Sequence, residues 1–146
     1  MSMSNAFETS LLDHIFNNAA VANIGDAGGL QPSATAGSLY LSLHTGDPGE
    51  AGDQTTNETA YTNYARVAVV RTAGGWTISG NTATNTALIQ FPQCGVTGAT
   101  LTYVGVGTAS SGAGVLLFSG QLSASLVVAN LIQPQFAAGD IDIVAD

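Results

Sequence analysis

The stretch that decides the fold is SLYLSLHTGDPG at residues 38–49. Leu39, Leu41 and Leu43 alternate with more polar side chains, which is the period of a β-strand with one buried face. The predicted strand covers residues 38–44 and is stopped by Thr45-Gly46-Asp47-Pro48-Gly49, because proline fixes its own φ and glycine accepts turn conformations. The sequence therefore predicts a half-buried strand followed by a tight turn.

Strand-like segments continue from this turn to the end of the chain. They are β-branched or alternating, and pairs such as Gly74-Gly75 and Gly80-Asn81 lie between them as turn signals. The predicted strands occupy residues 66–72, 76–79, 81–91, 100–108, 115–121, 123–132 and 140–144. Many short strands predict a mainly β fold, an antiparallel β-sandwich of jelly-roll type over residues 38–144.

A helical period precedes the strands. Apolar side chains recur every three or four positions over residues 5–20, and Asn5 followed by Glu8 resembles a capping box. We expect one N-terminal amphipathic helix there and a loop at residues 21–37. The apolar stripe, which includes Phe7, Leu11 and Ile15, must pack on the chain's own sheet or on a partner chain.

Length and charge narrow the class of protein. A chain of 146 residues is long enough for a single domain, residues 1–146, with its own core. Two basic residues against ten acidic ones give a net charge of -8, so direct nucleic-acid binding is not expected. The apolar runs are far shorter than the roughly 20 residues of a membrane helix, and no membrane contact is expected.

The low content of charged residues bears on assembly. Only 8% of the residues are charged, against about 25% in an ordinary globular domain. A surface with so few charges is poorly protected against association, which favours a homo-oligomer. A monomer with a surface rich in threonine, serine and asparagine fits the composition equally well.

Catalytic and metal-binding patterns are weak. His44 lies near Asp47 and serines are plentiful, but the chain has no Gly-x-Ser-x-Gly elbow to hold a nucleophile. His14, His44 and Cys94 are too scattered for a zinc site. We therefore expect no enzyme activity, no cofactor and no metal.

An acidic loop is predicted at residues 45–63. Its carboxylates could converge on calcium, but their spacing is not that of an EF-hand loop, and a solvated, exposed loop is the ordinary interpretation of such a run. We expect Arg66 to tie this loop back through a bidentate pair with a carboxylate. The carboxylates in question are Asp47, Glu50, Asp53 and Glu58, with Asp47 or Glu58 the expected partner of Arg66.

A combined motif extends over residues 39–69. It consists of the strand and turn at residues 39–49, the positions Gly52, Thr55 and Glu58, and the stretch YTNYARVAV at residues 61–69. Over residues 7–70 the chain resembles a family of small bacteriophage virion proteins, commonly labelled tail fibre proteins, with a weaker echo in FAAGD at residues 136–140. The resemblance implies a structural component of the virion, assembled in the host cytoplasm.

The first expectation is a capsid cement or decoration protein, because small size and low charge suit a subunit that spreads over a shell; the alternative is a tail fibre or distal-tail component. A capsid cement or decoration protein would bind and stabilise the head shell, with the major capsid protein or other virion proteins as partners, and its acidic loop would suit a basic patch. A tail fibre or distal-tail adaptor would present the loop, or the exposed aromatics Tyr61 and Tyr64, to a receptor. In either case the expected interface comprises Phe7, Leu11, Ile15, His44, Asp47, Glu50, Asp53, Glu58, Tyr61, Tyr64 and Arg66.

Overall fold

The computed structural model of the protein describes residues 2–145. Within them lie one helix and nine strands: α1 (Asn5–Asn17), β1 (Ser38–His44), β2 (Val67–Val70), β3 (Trp76–Ser79), β4 (Thr82–Asn85), β5 (Ile89–Gln90), β6 (Ala99–Gly107), β7 (Leu116–Val128), β8 (Gln135–Phe136) and β9 (Asp142–Val144). The predicted mainly β fold with one N-terminal helix is confirmed. No helix among residues 2–145 is long and apolar enough to cross a bilayer.

The chain divides into two compact units. The first unit contains the chain up to Ser38, Val70–Leu88 and the chain from Phe136 onward, and the second contains Leu39–Val69 and Ile89–Gln135. The predicted single domain, the sandwich and its jelly-roll connection remain predictions.

The first unit packs α1 on a three-stranded antiparallel sheet of order β3-β4-β9. Its centre is Phe16 against Trp76, both fully buried, with ring centroids 4.6 Å apart. Leu12 and Ala83 are buried with them. The helix therefore buries Leu12 and Phe16 inside the chain's own first unit.

Helix α1 begins at Asn5 as predicted, but its N-cap and its C-terminal end differ from the prediction. Ser4, not Asn5, is the N-cap, and its Oγ accepts a hydrogen bond from the Phe7 backbone N–H at 3.4 Å. The helix ends at Asn17 because Asn18 adopts a left-handed conformation with φ 54°, and the Ala19 N–H bonds the Asp13 carbonyl. The apolar residues at 19 and 20 continue the helical spacing but lie beyond this stop.

Arg71 binds the carbonyl groups that α1 leaves open at its C-terminal end. Its guanidinium donates to the carbonyls of Ile15 at 2.6 Å and His14 at 2.7 Å, and also to that of Ala36 at 3.2 Å. The last carbonyls of a helix lack partners within the helix, so this arginine supplies donors to two of them.

The second unit contains a four-stranded sheet of order β2-β1-β6-β7 and a two-stranded sheet, β5-β8. Strands β1 and β6 are antiparallel, with Leu41 opposite Val106 and Leu43 opposite Val104. Strands β6 and β7 are also antiparallel and form a hairpin, with Gly107 opposite Leu116.

Strand β1 is buried on both faces, not on one. Leu39, Leu41 and Leu43 are buried as predicted, but Ser42 and His44 are fully buried as well. The second face is covered by the acidic loop, whose Thr56 carbonyl lies 2.9 Å from His44 Nδ1. The two polar side chains also bond each other, with Ser42 Oγ 2.8 Å from His44 Nε2.

Other strand boundaries differ from the predicted ones by a few residues, and three differences concern the number of strands. The predicted strand at 81–91 is two strands, β4 and β5, and the two predicted strands at 115–121 and 123–132 are the single strand β7. Strand β8 has only two residues and was not predicted, since so short a segment carries no periodicity.

Candidate functional site

The densest polar group in the second unit surrounds Arg66. The guanidinium donates from Nε to Glu58 Oε1 at 2.6 Å and from Nη2 to Glu58 Oε2 at 2.7 Å, a bidentate pair. It also donates to the carbonyls of Ala109 and Gly112, both at 2.8 Å. Tyr64 Oη donates to Glu58 Oε1 at 2.8 Å. We call Glu58, Tyr64, Arg66 and these two carbonyls the Arg66 cluster.

The predicted arginine–carboxylate pair is confirmed, and Glu58 is the partner. Asp47 instead accepts a hydrogen bond from the Gly49 N–H at 2.8 Å within its own turn. The Arg66 side chain is only 2% exposed, and its bonds to Glu58 raise the pKa of its guanidinium. Because Arg66 binds both Glu58 and the loop after β6, it joins residues 45–63 to residues 108–115.

Gln54 makes a second connection between the same two loops. Its side chain is fully buried; Oε1 accepts from the Ala109 N–H at 2.9 Å, and its backbone N–H donates to the Ala113 carbonyl at 2.9 Å. A Cβ at Gly107 or Gly114 would overlap this side chain. The glycine-rich hairpin therefore lacks side chains at positions that Gln54 fills.

The acidic loop is thus not exposed throughout, which corrects the prediction. Gln54, Thr59 and Tyr61 are buried, and the Thr59 N–H donates to the Leu43 carbonyl at 2.9 Å. Asp47 and Glu50 are exposed and Asp53 is half-buried. The loop contains both core positions and solvent-facing carboxylates.

His44 is held on both ring nitrogens. Nδ1 lies 2.9 Å from the Thr56 carbonyl, which can only accept, so Nδ1 carries the proton and Nε2 accepts from Ser42 Oγ. Burial lowers the pKa of His44, although the bond to Thr56 opposes this shift. A Cβ at Gly105 would come within 2.8 Å of both Nε2 and Ser42 Oγ. The serine–histidine pair therefore lies in the protein interior.

The two tyrosines are not exposed aromatics, contrary to the prediction. Tyr61 is 2% exposed, and its hydroxyl donates to the Pro92 carbonyl at 2.9 Å. Tyr64 stacks on Phe91 at a centroid distance of 6.4 Å and accepts from the Leu43 N–H at 3.1 Å. Burial raises the pKa of Tyr61 to about 12 and raises that of Tyr64 as well. Tyr64 therefore packs beside β1, and the two tyrosine rings meet edge to face with centroids 5.3 Å apart.

The structure brings part of the predicted interface together and leaves part of it apart. His44, Glu58, Tyr64 and Arg66 meet around the end of β1, where His44 also forms an isolated bridge with Glu58. On the helix, Phe7 is 37% exposed, while Leu11 and Ile15 are half-buried. The interface role of all these residues remains a prediction.

Sequence reasoning missed Gln54 and Ser42. The available signal was the Gly105-x-Gly107 spacing, since glycines in a strand mark the close approach of another group. The side chains that fill the space beside these glycines lie more than 50 residues away in the sequence. No local pattern identifies them. Among residues 2–145 no three His, Cys, Asp or Glu side chains converge as metal ligands.

Together these features define a small, β-rich protein whose polar core residues fix loops. A family model described as Gp80, Podophage GP4 fiber I protein gp80, matches residues 2–144. The chain therefore belongs to this family of bacteriophage fibre proteins and is a virion structural protein. No curated protein matches the chain at a significant level.

Proposed function

We propose that the protein is a non-enzymatic subunit of a bacteriophage fibre, attached to the tail through contacts with other virion proteins. The observation that carries this proposal is the family match over residues 2–144. It favours a fibre over the capsid cement protein that size and low charge first suggested. The internal bonding of His44, Ser42 and Arg66 agrees with a structural role for the polar residues.

The distribution of charge indicates how such a subunit would attach. Both arginines donate to acceptors inside their own unit, whereas Asp47 and Glu50 face solvent. With a net charge of -8, the protein presents acidic groups that a basic surface of a partner protein would attract. The exposed carboxylates of residues 45–63 are the proposed attachment surface.

Gold labelling of purified particles tests the proposed position. An epitope tag ahead of Ser2 suits the fold, because Ser2 is exposed and the N-cap Ser4 lies after it. We expect label at the tail in a few to tens of copies per particle, with untagged particles as the control. Label spread over the head would replace the fibre proposal with the cement protein, and particles without label would contradict both.

Charge reversal then tests the attachment surface. Phage particles that lack this protein should bind less of the variant Asp47→Lys with Glu50→Lys than of the wild type. The difference should depend on the salt concentration. The matched control is Asp140→Lys with Asp142→Lys, which changes the charge by the same amount at two exposed carboxylates outside this loop. Equal binding by both variants would contradict the role of the loop.

A further inference from the structure

Leu131 is held in a backbone conformation that leucine rarely adopts. Its φ is 68°, and among residues 2–145 the other non-glycine residues with positive φ are all asparagines. The Ile132 N–H donates to the Ala129 carbonyl at 2.9 Å, so Leu131 is the third residue of a β-turn, where a positive φ favours glycine or asparagine. The leucine side chain is 68% exposed, so packing inside the chain does not explain it.

Neighbouring groups fix this turn in place. The Leu131 N–H donates to the Cys94 carbonyl and the Cys94 N–H donates to the Ile132 carbonyl, both at 2.8 Å. Gln93 Nε2 donates to the Leu131 carbonyl at 2.9 Å. Unfavourable backbone conformations persist where the surrounding structure holds them, and they are concentrated at functional positions. The leucine at this position therefore directs attention to residues 129–132 as a binding surface.

A second turn presents another aliphatic side chain beside the first. Val96 is 88% exposed, and it lies two residues after Cys94, which is bonded to the first turn. The preceding residue must be glycine, because a Cβ at Gly95 would lie 2.7 Å from Thr62 Cγ2. Three exposed aliphatic side chains project from the two turns, and we call them the apolar tips: Val96, Leu131 and Ile132.

The apolar tips lie in an uncharged part of the chain that adjoins the acidic loop. No Asp, Glu, Lys, Arg or His occurs in residues 72–139. Thr62, near the end of the acidic loop, donates from its N–H to the Thr97 carbonyl at 2.8 Å and accepts from the Gly95 N–H at 3.0 Å. The loop that carries the proposed attachment surface is therefore bonded directly to the turn that carries Val96.

We infer that the apolar tips insert into an uncharged, apolar pocket of another virion protein, next to the contact made by the acidic loop. This inference rests on the proposed function and adds the apolar part of the same attachment. A charged group of the partner facing the tips would be buried without a counter-ion, which is costly. The pocket that suits the tips is therefore uncharged.

The size of the surface favours a different protein over a second copy of this chain. Three side chains are far fewer than the roughly 20 to 30 residues that each partner gives to a stable interface. They are too few to hold two copies together on their own. They suit a partner that the acidic loop also binds, because the two contacts then add to one interface.

A lipid bilayer suits the tips less well than a protein pocket. Segments that insert aliphatic side chains into a membrane surface usually combine them with basic residues that attract anionic lipids. Here the net charge is -8 and neither arginine lies in residues 72–139.

Substitution separates binding from stability. Phage particles that lack this protein should bind the tip variant, Val96→Ser with Leu131→Asn, at least about tenfold more weakly than the wild type. Leu131→Asn alone should melt no lower than the wild type, because asparagine adopts a positive φ more readily than leucine. Val96→Ser alone changes the more exposed of the two side chains and should also weaken binding.

A matched control makes the same two changes outside the second unit. Leu88→Asn with Val144→Ser alters aliphatic side chains that are 51% and 58% exposed. This control should bind the particles as the wild type does.

Salt separates the apolar contact from the charged one. It screens the attraction between the acidic loop and a basic surface but does not weaken the burial of apolar groups. The tip variant should therefore differ from the wild type as much at high salt as at low salt. The difference between Asp47→Lys with Glu50→Lys and the wild type should shrink instead.

Four results would overturn the inference. Equal binding of the tip variant and the wild type would show that the tips make no contact. A clearly lower melting temperature in Leu131→Asn would show that the leucine serves folding. Self-association lost in the tip variant and kept in the control would make the occupant a second copy. Binding to phosphatidylcholine vesicles by the wild type but not by the tip variant would make it a membrane.

Failure of the proposed function gives a different result. Wild-type label on the head, with weaker binding of the tip variant there, would replace the fibre with the cement protein and still support the apolar contact. A wild-type protein that binds no particle would contradict both.

Discussion

At the scale of single residues, removal of Arg66 should cost much of the stability, because its guanidinium makes four hydrogen bonds. Arg66→Met leaves Glu58 partly buried without its counter-ion and leaves the carbonyls of Ala109 and Gly112 without this donor. Breaking a buried pair by removing one partner costs about 3 to 5 kcal/mol. Urea unfolding should show a loss of this size, and cleavage after the exposed Glu50 by a glutamate-specific protease should become faster.

Two variants serve as controls for this prediction. Arg66→Lys keeps the charge but loses the bidentate geometry, and should lie between the wild type and Arg66→Met. Asp47→Asn changes an exposed residue whose side chain bonds only the Gly49 N–H in its own turn, and should stay within about 0.5 kcal/mol. Unchanged cleavage at Glu50 in Arg66→Met would show that the loop is held by other contacts, chiefly those of Gln54.

His44 should make stability depend on pH in a defined window. Its pKa in the folded protein lies below the ordinary histidine value of 6.5 because burial disfavours the imidazolium. As the pH falls below 6.5, His44 therefore takes up a proton more readily in the unfolded chain than in the folded one. The contribution of His44 to stability is present above that pH and is lost below it. The free energy of unfolding should fall between pH 6.5 and 5 by at most about 1.4 kcal/mol per pH unit.

Between pH 6.5 and 5 the effect of His44 is separated from that of Asp53. Asp53, whose pKa is lowered by its hydrogen bonds to Thr55, loses its contribution only below the ordinary aspartate value of about 3.9. Urea titrations at pH 7.5, 6.5, 5.8 and 5.0 should show the slope in the wild type and in His14→Gln, and a flatter profile in His44→Gln. The same slope in His44→Gln would assign the proton uptake elsewhere.

At the scale of elements, α1 should contribute to stability through its inner stripe. Phe16 is fully buried against Trp76, and Phe→Ala in a core costs about 3 to 5 kcal/mol. Phe7→Ala is the matched control, since Phe7 is 37% exposed and should cost far less. Trp76 is the chain's one tryptophan, so its fluorescence follows unfolding of this unit directly. Similar losses from both variants would contradict internal packing of the stripe.

Elements whose bounds depend on neighbouring residues were predicted correctly from the sequence. Residues 38–44 and 76–79 were predicted as strands with the bounds that the structure has, because alternation and the flanking turns mark both ends. The end of α1 was missed, since the left-handed Asn18 interrupts a spacing that Ala19 and Ala20 continue. The burial of Ser42 and His44 depends on β6, some 60 residues away along the chain, and alternation cannot reveal it.

The acidic loop and β7 show the same limit. Charge correctly placed Asp47 and Glu50 outside, but Gln54 is buried because Gly107 leaves space for it. The sequence predicted two strands where β7 is one, and the division fell near Leu122, where the register with β6 breaks. The candidate site was therefore predictable for the pairing of Arg66, where only two carboxylates were strong candidates, and not for its long-range neighbours.

At the scale of the whole molecule, acidic residues greatly outnumber basic ones. Ten acidic residues face two arginines, and both arginines are bound internally. A net charge far from zero destabilises a compact state through self-repulsion. The Arg66–Glu58 pair acts in the opposite sense, but it is largely buried and salt screens buried pairs much less than exposed charges.

Salt should therefore stabilise the fold. Moderate sodium chloride screens the repulsion between exposed carboxylates, and a gain of about 1 kcal/mol raises Tm by about 3 °C in a chain of this size. The variant Glu50→Gln with Asp142→Asn removes two exposed negative charges; it should melt higher than the wild type at low salt and respond less to added salt. Scans at low protein concentration keep self-association out of the measurement. A Tm that falls as salt is added would mean that the Arg66–Glu58 attraction outweighs the repulsion among the other carboxylates, and that the acidic surface carries little cost for folding.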